Sequence, residues 1–242
     1  MVMNKLVILI ILVCGASLSR AQILDEVSKD PTSVNSQTDF PKNNYLINAS
    51  FEGKPARGVV DSYSHSRPFT LANWEECGSG ETSPPDVHGE DTRYWGATFP
   101  PSNGKTYIGL VTRDTDTWEA VSQEFKTALE ANKCYQFEID ARMDKNYKSP
   151  VIGSGIEEVS FGNPVVLRVS YSNRPCNTDG IQLKSNPITS TTWKTISLDF
   201  KNSKEQEFTH LTIEAYYKDG QYPYNGNLMI DNASLKEVSC KN

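Results

Sequence analysis

The sequence lacks the residue patterns that most catalytic sites require. Its three histidines, His65, His88 and His210, stand in dissimilar surroundings, and none belongs to a His-Glu-x-x-His motif. There is no Gly-x-Ser-x-Gly nucleophile elbow, no glycine loop that could cradle a phosphate and no closely spaced cysteine pair for zinc. These absences predict a protein that is not an enzyme.

Adjacent acids leave one catalytic alternative open. Glu75-Glu76 and Glu157-Glu158 have the residue type that glycoside hydrolysis needs, which is a pair of carboxylates held apart across a cleft. Neighbouring acids on loops are more often simply solvated. A glycan hydrolase is therefore the less favoured prediction.

Basic residues are too few for a nucleic-acid-binding protein. Lysine and arginine number 24 against 30 aspartates and glutamates, which gives a net charge of −6. Without a basic stripe the chain has no means of releasing counterions from a polyanion, so neither nucleic acid nor an anionic membrane is expected as the main partner. The apolar run Leu6–Val13 is too short to span a bilayer and no later run is long enough, so we expect no membrane insertion.

The first residues have the features of an export signal. A basic start, Met1–Lys5, precedes the apolar run, and Ser19-Arg20-Ala21 places small residues where a cleavage site needs them. We predict a signal peptide over residues 1–21 and a secreted, periplasmic or cell-surface location. Residues 22–43 are polar and without periodicity, which is typical of a flexible leader.

Four cysteines remain after cleavage: Cys77, Cys134, Cys176 and Cys240. An even number in an exported chain predicts two disulfides, for which three pairings exist. If the strand that begins at Cys134 and the strand that ends near Ser172 form a hairpin, Cys134 pairs with Cys176. Cys77 then pairs with Cys240.

From residue 44 onward, short segments alternate apolar and polar residues between turn residues. In residues 134–143 one face carries Tyr135, Phe137, Ile139, Ala141 and Met143. In residues 193–200 we expect Ile196, Leu198 and Phe200 to point inward and Trp193 to lie outside or at a rim. Only residues 127–132 suggest a helical turn. This period-two pattern predicts an all-β antiparallel sandwich over residues 44–240.

Aromatic residues are frequent in the long irregular region between Gly53 and Gly104 and in the late loop 218–226. Such insertions in a sandwich tend to carry function. Aromatic faces can stack on sugar rings, although they also serve packing and protein contacts. The residues that we expect to bind a ligand are Arg93, Tyr94, Trp95, Trp118, Tyr222 and Tyr224.

Two stretches at opposite ends of the domain carry a resemblance. Asn44–Glu52 (NYLINASFE) is similar to the first strand of carbohydrate-binding modules with the galactose-binding-like jelly roll, and Leu228–Leu235 (LMIDNASL) resembles their closing strand. The resemblance implies a structural calcium where the two strands meet, with Glu52 and Asp231 as acidic ligands. The alternative is that Asp231 caps a turn or pairs with a lysine or arginine.

The middle of the chain resembles uncharacterised sandwich domains of exported surface proteins in Bacteroidota. The matching residues are Trp74, Cys77, Pro85-Asp86, Ser102–Gly109, Glu119, Gln123, Leu129 and Cys134-Tyr135. That resemblance implies a fold and a location more than a ligand. Together these observations predict an exported, non-catalytic carbohydrate-binding module. The rival prediction is a cell-surface adhesion or assembly domain whose partner is a protein, because an aromatic patch serves either role.

Overall fold

Alternation of apolar and polar residues produces a chain of strands and almost no helix. The computed structural model describes residues 43–58, 69, 71–78, 84–150, 158–221 and 223–241, all within the compact unit Thr38–Asn242. The predicted signal peptide and almost all of the predicted leader lie outside the described residues, as does Tyr222. The strands are β1 (Glu75–Glu76), β2 (Asp86–Gly89), β3 (Thr106–Arg113), β4 (Thr117–Trp118), β5 (Ala120–Leu129), β6 (Cys134–Arg142), β7 (Lys148–Pro150), β8 (Glu158–Ser160), β9 (Asn163–Pro164), β10 (Val166–Ser172), β11 (Ile181–Lys184), β12 (Lys194–Lys201), β13 (Phe208–Tyr216) and β14 (Gly226–Val238).

Two main sheets form a β-sandwich, as the alternation predicts. The five-stranded sheet has the order β1-β5-β13-β10-β11, and the seven-stranded sheet has the order β12-β6-β14-β3-β2 with β4 and β9 at its margins. The pairings are antiparallel except for β9 with β14, and β7 and β8 form a separate small hairpin. The all-β antiparallel fold is therefore confirmed.

The core lies between the two sheets and uses one face of each strand. In β6, Tyr135, Phe137, Ile139 and Ala141 are buried in it as predicted, whereas Met143, predicted on the same face, is buried beyond the end of the strand and does not belong to this core. In β12, Ile196, Leu198 and Phe200 point to the core, and Trp193 packs outside it. Apart from Met143, both predictions of strand facing are confirmed.

The predicted helical turn at residues 127–132 is wrong. Strand β5 continues to Leu129, whose side chain is fully buried and which pairs with Phe208 of β13. Burial of the leucine in the core outweighs the weak local helix preference of the segment.

The segment that resembles a first strand, residues 45–51, is not a strand but a bridge between the sheets. The Tyr45 N–H donates to the carbonyl of Leu235 in β14, and the Tyr45 carbonyl accepts from Lys126 in β5. Asn48 and Phe51 have positive φ angles of 46° and 50°, which interrupt an extended conformation.

The disulfide pairing expected from the sequence, Cys134 with Cys176 and Cys77 with Cys240, is wrong. The structure joins Cys77 to Cys176 and Cys134 to Cys240. The supposed hairpin does not form, because β6 and β10 belong to different sheets. Cys134 instead lies opposite Val238 of β14, which brings Cys240 next to it.

Candidate functional site

A second apolar cluster lies outside the core, on the outer face of the seven-stranded sheet. Because Ile108 and Leu110 of β3 enter the core, their neighbours Tyr107 and Val111 must face outward. We call this group the outer cluster. Its members are the buried residues Tyr107, Val111, Tyr147, Phe161 and Met229, with Trp95, Phe99, Val159 and Trp193 packed against them.

Three aromatic rings of the outer cluster hold one another in place. Phe99 stacks on Tyr107 with ring centres 5.1 Å apart, and Trp193 meets both rings edge-on at 5.8 and 5.4 Å. The indole N–H of Trp193 donates to the carbonyl of Pro100 at 2.9 Å, which fixes its orientation. Phe99 and Trp193 stay half-buried, so part of each ring is open to solvent.

Arg142 adds a positive charge to these rings. It follows the inward-facing Ala141 at the end of β6 and therefore points to the outer face, opposite Met229 of β14. Its guanidinium carbon lies 3.4 Å from the centre of the Phe99 ring and 5.7 Å from that of Trp193. Partial burial lowers the pKa of Arg142 from its ordinary value, but an arginine stays charged at any physiological pH.

His88, on the neighbouring strand β2, is fully buried against the same cluster. Its ring stacks on Tyr107 at 4.9 Å, and neither ring nitrogen has a hydrogen-bond partner among the described residues. Burial lowers the pKa of His88, so the imidazole is neutral. Asp86 lies on the same strand, but its carboxylate accepts hydrogen bonds from the Tyr147 hydroxyl and the Gly58 N–H instead. Asp86 therefore does not orient His88 as a catalytic base.

Tyr94 and Trp95, two of the predicted site residues, lie at the margin of the outer cluster. They form a short 3₁₀ turn, Tyr94–Gly96, in which Trp95 has a positive φ of 55°. Both rings are half-buried. Tyr94 lies 5.8 Å from His88, and the Arg57 guanidinium lies 5.5 Å from the Trp95 ring. Arg93 is exposed and donates to the carbonyl of Thr92.

Trp118 lies on the other side of the sandwich. Its indole N–H donates to Glu214 at 2.9 Å, and its ring meets Tyr216 edge-on at 5.0 Å. Glu214 and Tyr216 alternate with core residues of β13, so they face outward from the five-stranded sheet. Arg168 pairs with Glu214 through two hydrogen bonds of 2.6 and 2.7 Å and stacks on Tyr216.

Tyr224 is held in place by two hydrogen bonds and a ring contact. Its hydroxyl donates to the carbonyl of Pro164 and accepts from the Lys218 N–H, and its ring meets Tyr217. The predicted ligand-binding residues thus divide between opposite outer faces, with Tyr94 and Trp95 on one and Trp118 on the other. The predicted residues that the structure describes, which leave out Tyr222, do not form one cleft. Sequence reasoning missed Arg142 and Tyr107, although it placed Trp193 outside the core.

Glu52 and Asp231 do converge, on the loop at residues 102–105. The Lys105 N–H donates to Glu52 at 3.0 Å, and the Asn103 N–H donates to Asp231 at 2.8 Å. The pKa of Asp231 is raised to about 8, mainly by burial; backbone hydrogen bonds oppose this rise, and the nearby charge of Glu52 adds a smaller part of it. No lysine or arginine among the described residues forms an ion pair with Asp231, but its carboxylate accepts the N–H groups of Asn103 and Asn232, which agrees with the alternative that it caps a turn.

The backbone around these two acids is unusual. Phe51 and Asn232, which flank them, have positive φ angles of 50° and 51°. Gly104 also has a positive φ of 64°, and a Cβ there would lie 1.7 Å from a Glu52 oxygen. The described residues contain no group of three or more acidic, histidine or cysteine side chains suited to a metal. A hard cation would fit only if neutral oxygens, such as those of Asn103 and Ser50, completed the two carboxylates.

A groove of about 500 Å³ lies elsewhere, between the edge strands β11 and β12. Ile188, Ile196 and Leu198 line it together with Lys184 and Lys194. Its lining, in the part of the chain that the structure describes, includes no aromatic ring, and rings are what sugar stacking requires. None of the described residues belongs to a helix long and apolar enough to cross a membrane.

No protein-family model and no curated protein matches this chain. Among solved structures, the chain is similar to TmCBM61 in complex with beta-1,4-galactotriose, with 15% identity, 81% of this chain and 99% of that chain covered, and a TM-score of 0.40. It is also similar to a cyclase from Fischerella sp. TAU, with 12% identity, 83% and 99% covered, and a TM-score of 0.49. A third similar structure is the enzymatically active domain of bacteriophage CBA120 tailspike protein 4, with 12% identity and a TM-score of 0.48. The match covers 81% of this chain but only 22% of the tailspike chain. The similar structures thus include both a binding module and enzymes.

Proposed function

We propose that this protein is an exported, non-catalytic carbohydrate-binding module whose ligand stacks on the outer cluster. The observation that carries the proposal is a set of half-buried rings held in place outside the core, Trp95, Phe99 and Trp193. Secretion to the cell surface, the periplasm or the medium agrees with two disulfides, which persist in oxidising compartments.

The arrangement suits a sugar for a physical reason. Rings that are already fixed by neighbours lose little conformational freedom when a ligand binds, so weak stacking is not cancelled by an entropic cost. Trp193 is fixed by its hydrogen bond to Pro100, and Phe99 is fixed between Tyr107 and Arg142. Stacking on such rings with a few polar contacts gives modest affinity for a saccharide.

Trp193 and Trp118 provide a matched experiment, because both are half-buried tryptophans whose N–H groups are bonded, on opposite faces. Binding of Trp193→Ala and Trp118→Ala should be compared with the wild type on a glycan array and by affinity electrophoresis. We expect Trp193→Ala to lose binding and Trp118→Ala to keep it. The reverse result would move the site to the five-stranded sheet. If the wild type binds no glycan but captures a surface protein, the rival adhesion function replaces ours.

We further propose that a structural calcium ion binds between Glu52 and Asp231. The support is the approach of two carboxylates to one loop, Asn103–Lys105, with oxygens of Ser50 and Asn103 beside them. Bound there, calcium would supply a positive charge that keeps both carboxylates ionised. Thermal unfolding with chelator and with added calcium tests this directly. An unfolding temperature that is the same under both conditions would refute it.

A further inference from the structure

Arg142 is a cation without an anionic partner in the part of the chain that the structure describes. Its Nε is buried and has no hydrogen-bond acceptor, and its guanidinium takes part in no hydrogen bond or ion pair among the described residues. The two buried arginines among the described residues are different, since Arg113 pairs with Glu119 and Arg168 pairs with Glu214. Leaving a partly buried guanidinium with unmet donors is unfavourable. Its retention therefore needs another explanation.

The acids close to Arg142 are already engaged elsewhere. Asp144 is the nearest source of negative charge, but it accepts the N–H of Asn146. Asp140, two residues before Arg142 on the same strand, accepts from Ser102 and Thr195. The charge of Asp144 favours the charged guanidinium, but neither carboxylate forms an ion pair or hydrogen bond with Arg142 among the described residues, so the guanidinium donors remain available on the outer face.

We infer that the saccharide bound at the outer cluster is acidic, and that Arg142 binds its carboxylate or sulfate group. The inference deepens the proposed function and rests on it. A guanidinium that lies flat on a ring keeps the edges of its plane open, and these edges carry paired donors that match a carboxylate or sulfate. Trp193, whose ring is half-exposed, would then receive the sugar ring beside the charged group, while Phe99 supports the guanidinium from below.

Tyr107 supports the site from below, since only 1% of the residue is exposed. Its ring underlies Phe99, and its hydroxyl lies close enough to Arg142 for the two groups to interact electrostatically. Burial raises the pKa of Tyr107 well above its ordinary value, so the hydroxyl stays protonated. The neutral hydroxyl therefore adds no negative charge that would oppose an anion beside Arg142.

The test compares three purified polysaccharides: polygalacturonate, a sulfated galactan and a neutral galactan. Affinity electrophoresis and calorimetry of the full chain should use low and high salt, with Arg142→Gln and Arg142→Lys as variants. Arg174→Gln is the matched control, because Arg174 is an exposed arginine at a surface ion pair. We expect Arg142→Gln to weaken binding of an acidic polysaccharide at least tenfold, since hydrogen bonds to charged groups are strong.

The outcomes separate the inference from the proposed function. Binding to the carboxylated polymer alone, or to the sulfated one alone, supports the inference and identifies the group. If the neutral galactan binds as tightly as the acidic polymers, or if Arg142→Gln binds like the wild type, the inference is wrong and the proposed function stands. If no polysaccharide binds, the proposed function itself fails. An equal loss for Arg174→Gln would mean general charge attraction and would also overturn the inference. Arg142→Lys keeps the charge and most of the packing, so weaker binding at an unchanged unfolding temperature would show that the loss comes from the paired guanidinium donors and not from unfolding.

Discussion

Replacing Asp231 by asparagine should change how the stability of this protein depends on pH. In the folded chain without metal, the pKa of Asp231 is raised from 3.8 to about 8. Between these two values the carboxyl is protonated in the folded chain and ionised in the unfolded chain. Unfolding then releases a proton, so a rise in pH favours unfolding throughout this window.

The magnitude follows from the size of the shift. Each pKa unit corresponds to about 1.4 kcal/mol. A shift of about 4 units therefore lowers the free energy of unfolding by roughly 5 kcal/mol between pH 4 and pH 8. This is comparable with the whole stability of a small domain, which is about 5–15 kcal/mol. An asparagine side chain at this position would not titrate, so the loss should disappear in the variant.

Urea unfolding in the presence of a chelator, at intervals from pH 4.5 to pH 8.5, measures the effect. The quantity of interest is the wild-type free energy of unfolding minus that of Asp231→Asn, because the other titrating groups cancel in this difference. We expect the difference to fall by about 1.4 kcal/mol per pH unit within the window. The exposed Asp219→Asn should run parallel to the wild type. If Asp231→Asn also runs parallel to the wild type, the reasoning is refuted. Added calcium at pH 8 should restore the wild type and leave Asp231→Asn unchanged.

Three further predictions concern other parts of the structure. Serine at both Cys77 and Cys176 should lower the free energy of unfolding by about 4–5 kcal/mol in urea titrations, because the bridge joins residues 99 positions apart; a loss below about 1 kcal/mol would contradict this. His88→Phe should keep the stacking on Tyr107 and remove two unsatisfied nitrogens. The wild type, whose His88 pKa is lowered, should lose stability as the pH falls below about 6.5, and the variant should lose less, as followed by thermal melts. Gly104→Ala should destabilise the fold by at least about 1 kcal/mol and reduce the rise in unfolding temperature that calcium causes. An unfolding temperature equal to that of the wild type would exclude close packing of residue 104 against Glu52.

The strands and their facing were predictable because they depend on local alternation. Ile196, Leu198 and Phe200 point inward because one face of β12 packs against the core and excludes water. The same alternation leaves Trp193 outside the core. The disulfide pairing was not predictable in this way. Whether Cys134 meets Cys176 or Cys240 depends on which sheet each strand joins, and that is decided by contacts between residues about a hundred positions apart.

The grouping of the candidate site residues also could not be predicted from the sequence. Tyr94-Trp95 and Trp118 both lie in polar stretches of the sequence, yet β3 and β13 carry their neighbours to opposite faces. The approach of Glu52 and Asp231 could be expected from the resemblance at the two ends of the domain, and the structure brings both to one loop. Arg142 carried no signal, because a buried Nε without an acceptor among the described residues is a property of the tertiary structure and not of the local sequence.

The two disulfides interleave along the chain, since Cys134 lies between Cys77 and Cys176, and Cys176 lies between Cys134 and Cys240. Two interleaved disulfides prevent mechanical tension from fully extending the chain between Cys77 and Cys240. A fully extended chain spans about 3.5 Å per residue. In the oxidised domain the end-to-end length under tension is instead limited by the shortest path along the chain that crosses a disulfide. The oxidised domain would therefore yield only a fraction of its contour length under load. A module that holds a polysaccharide in moving fluid would remain short even after its sheets had separated.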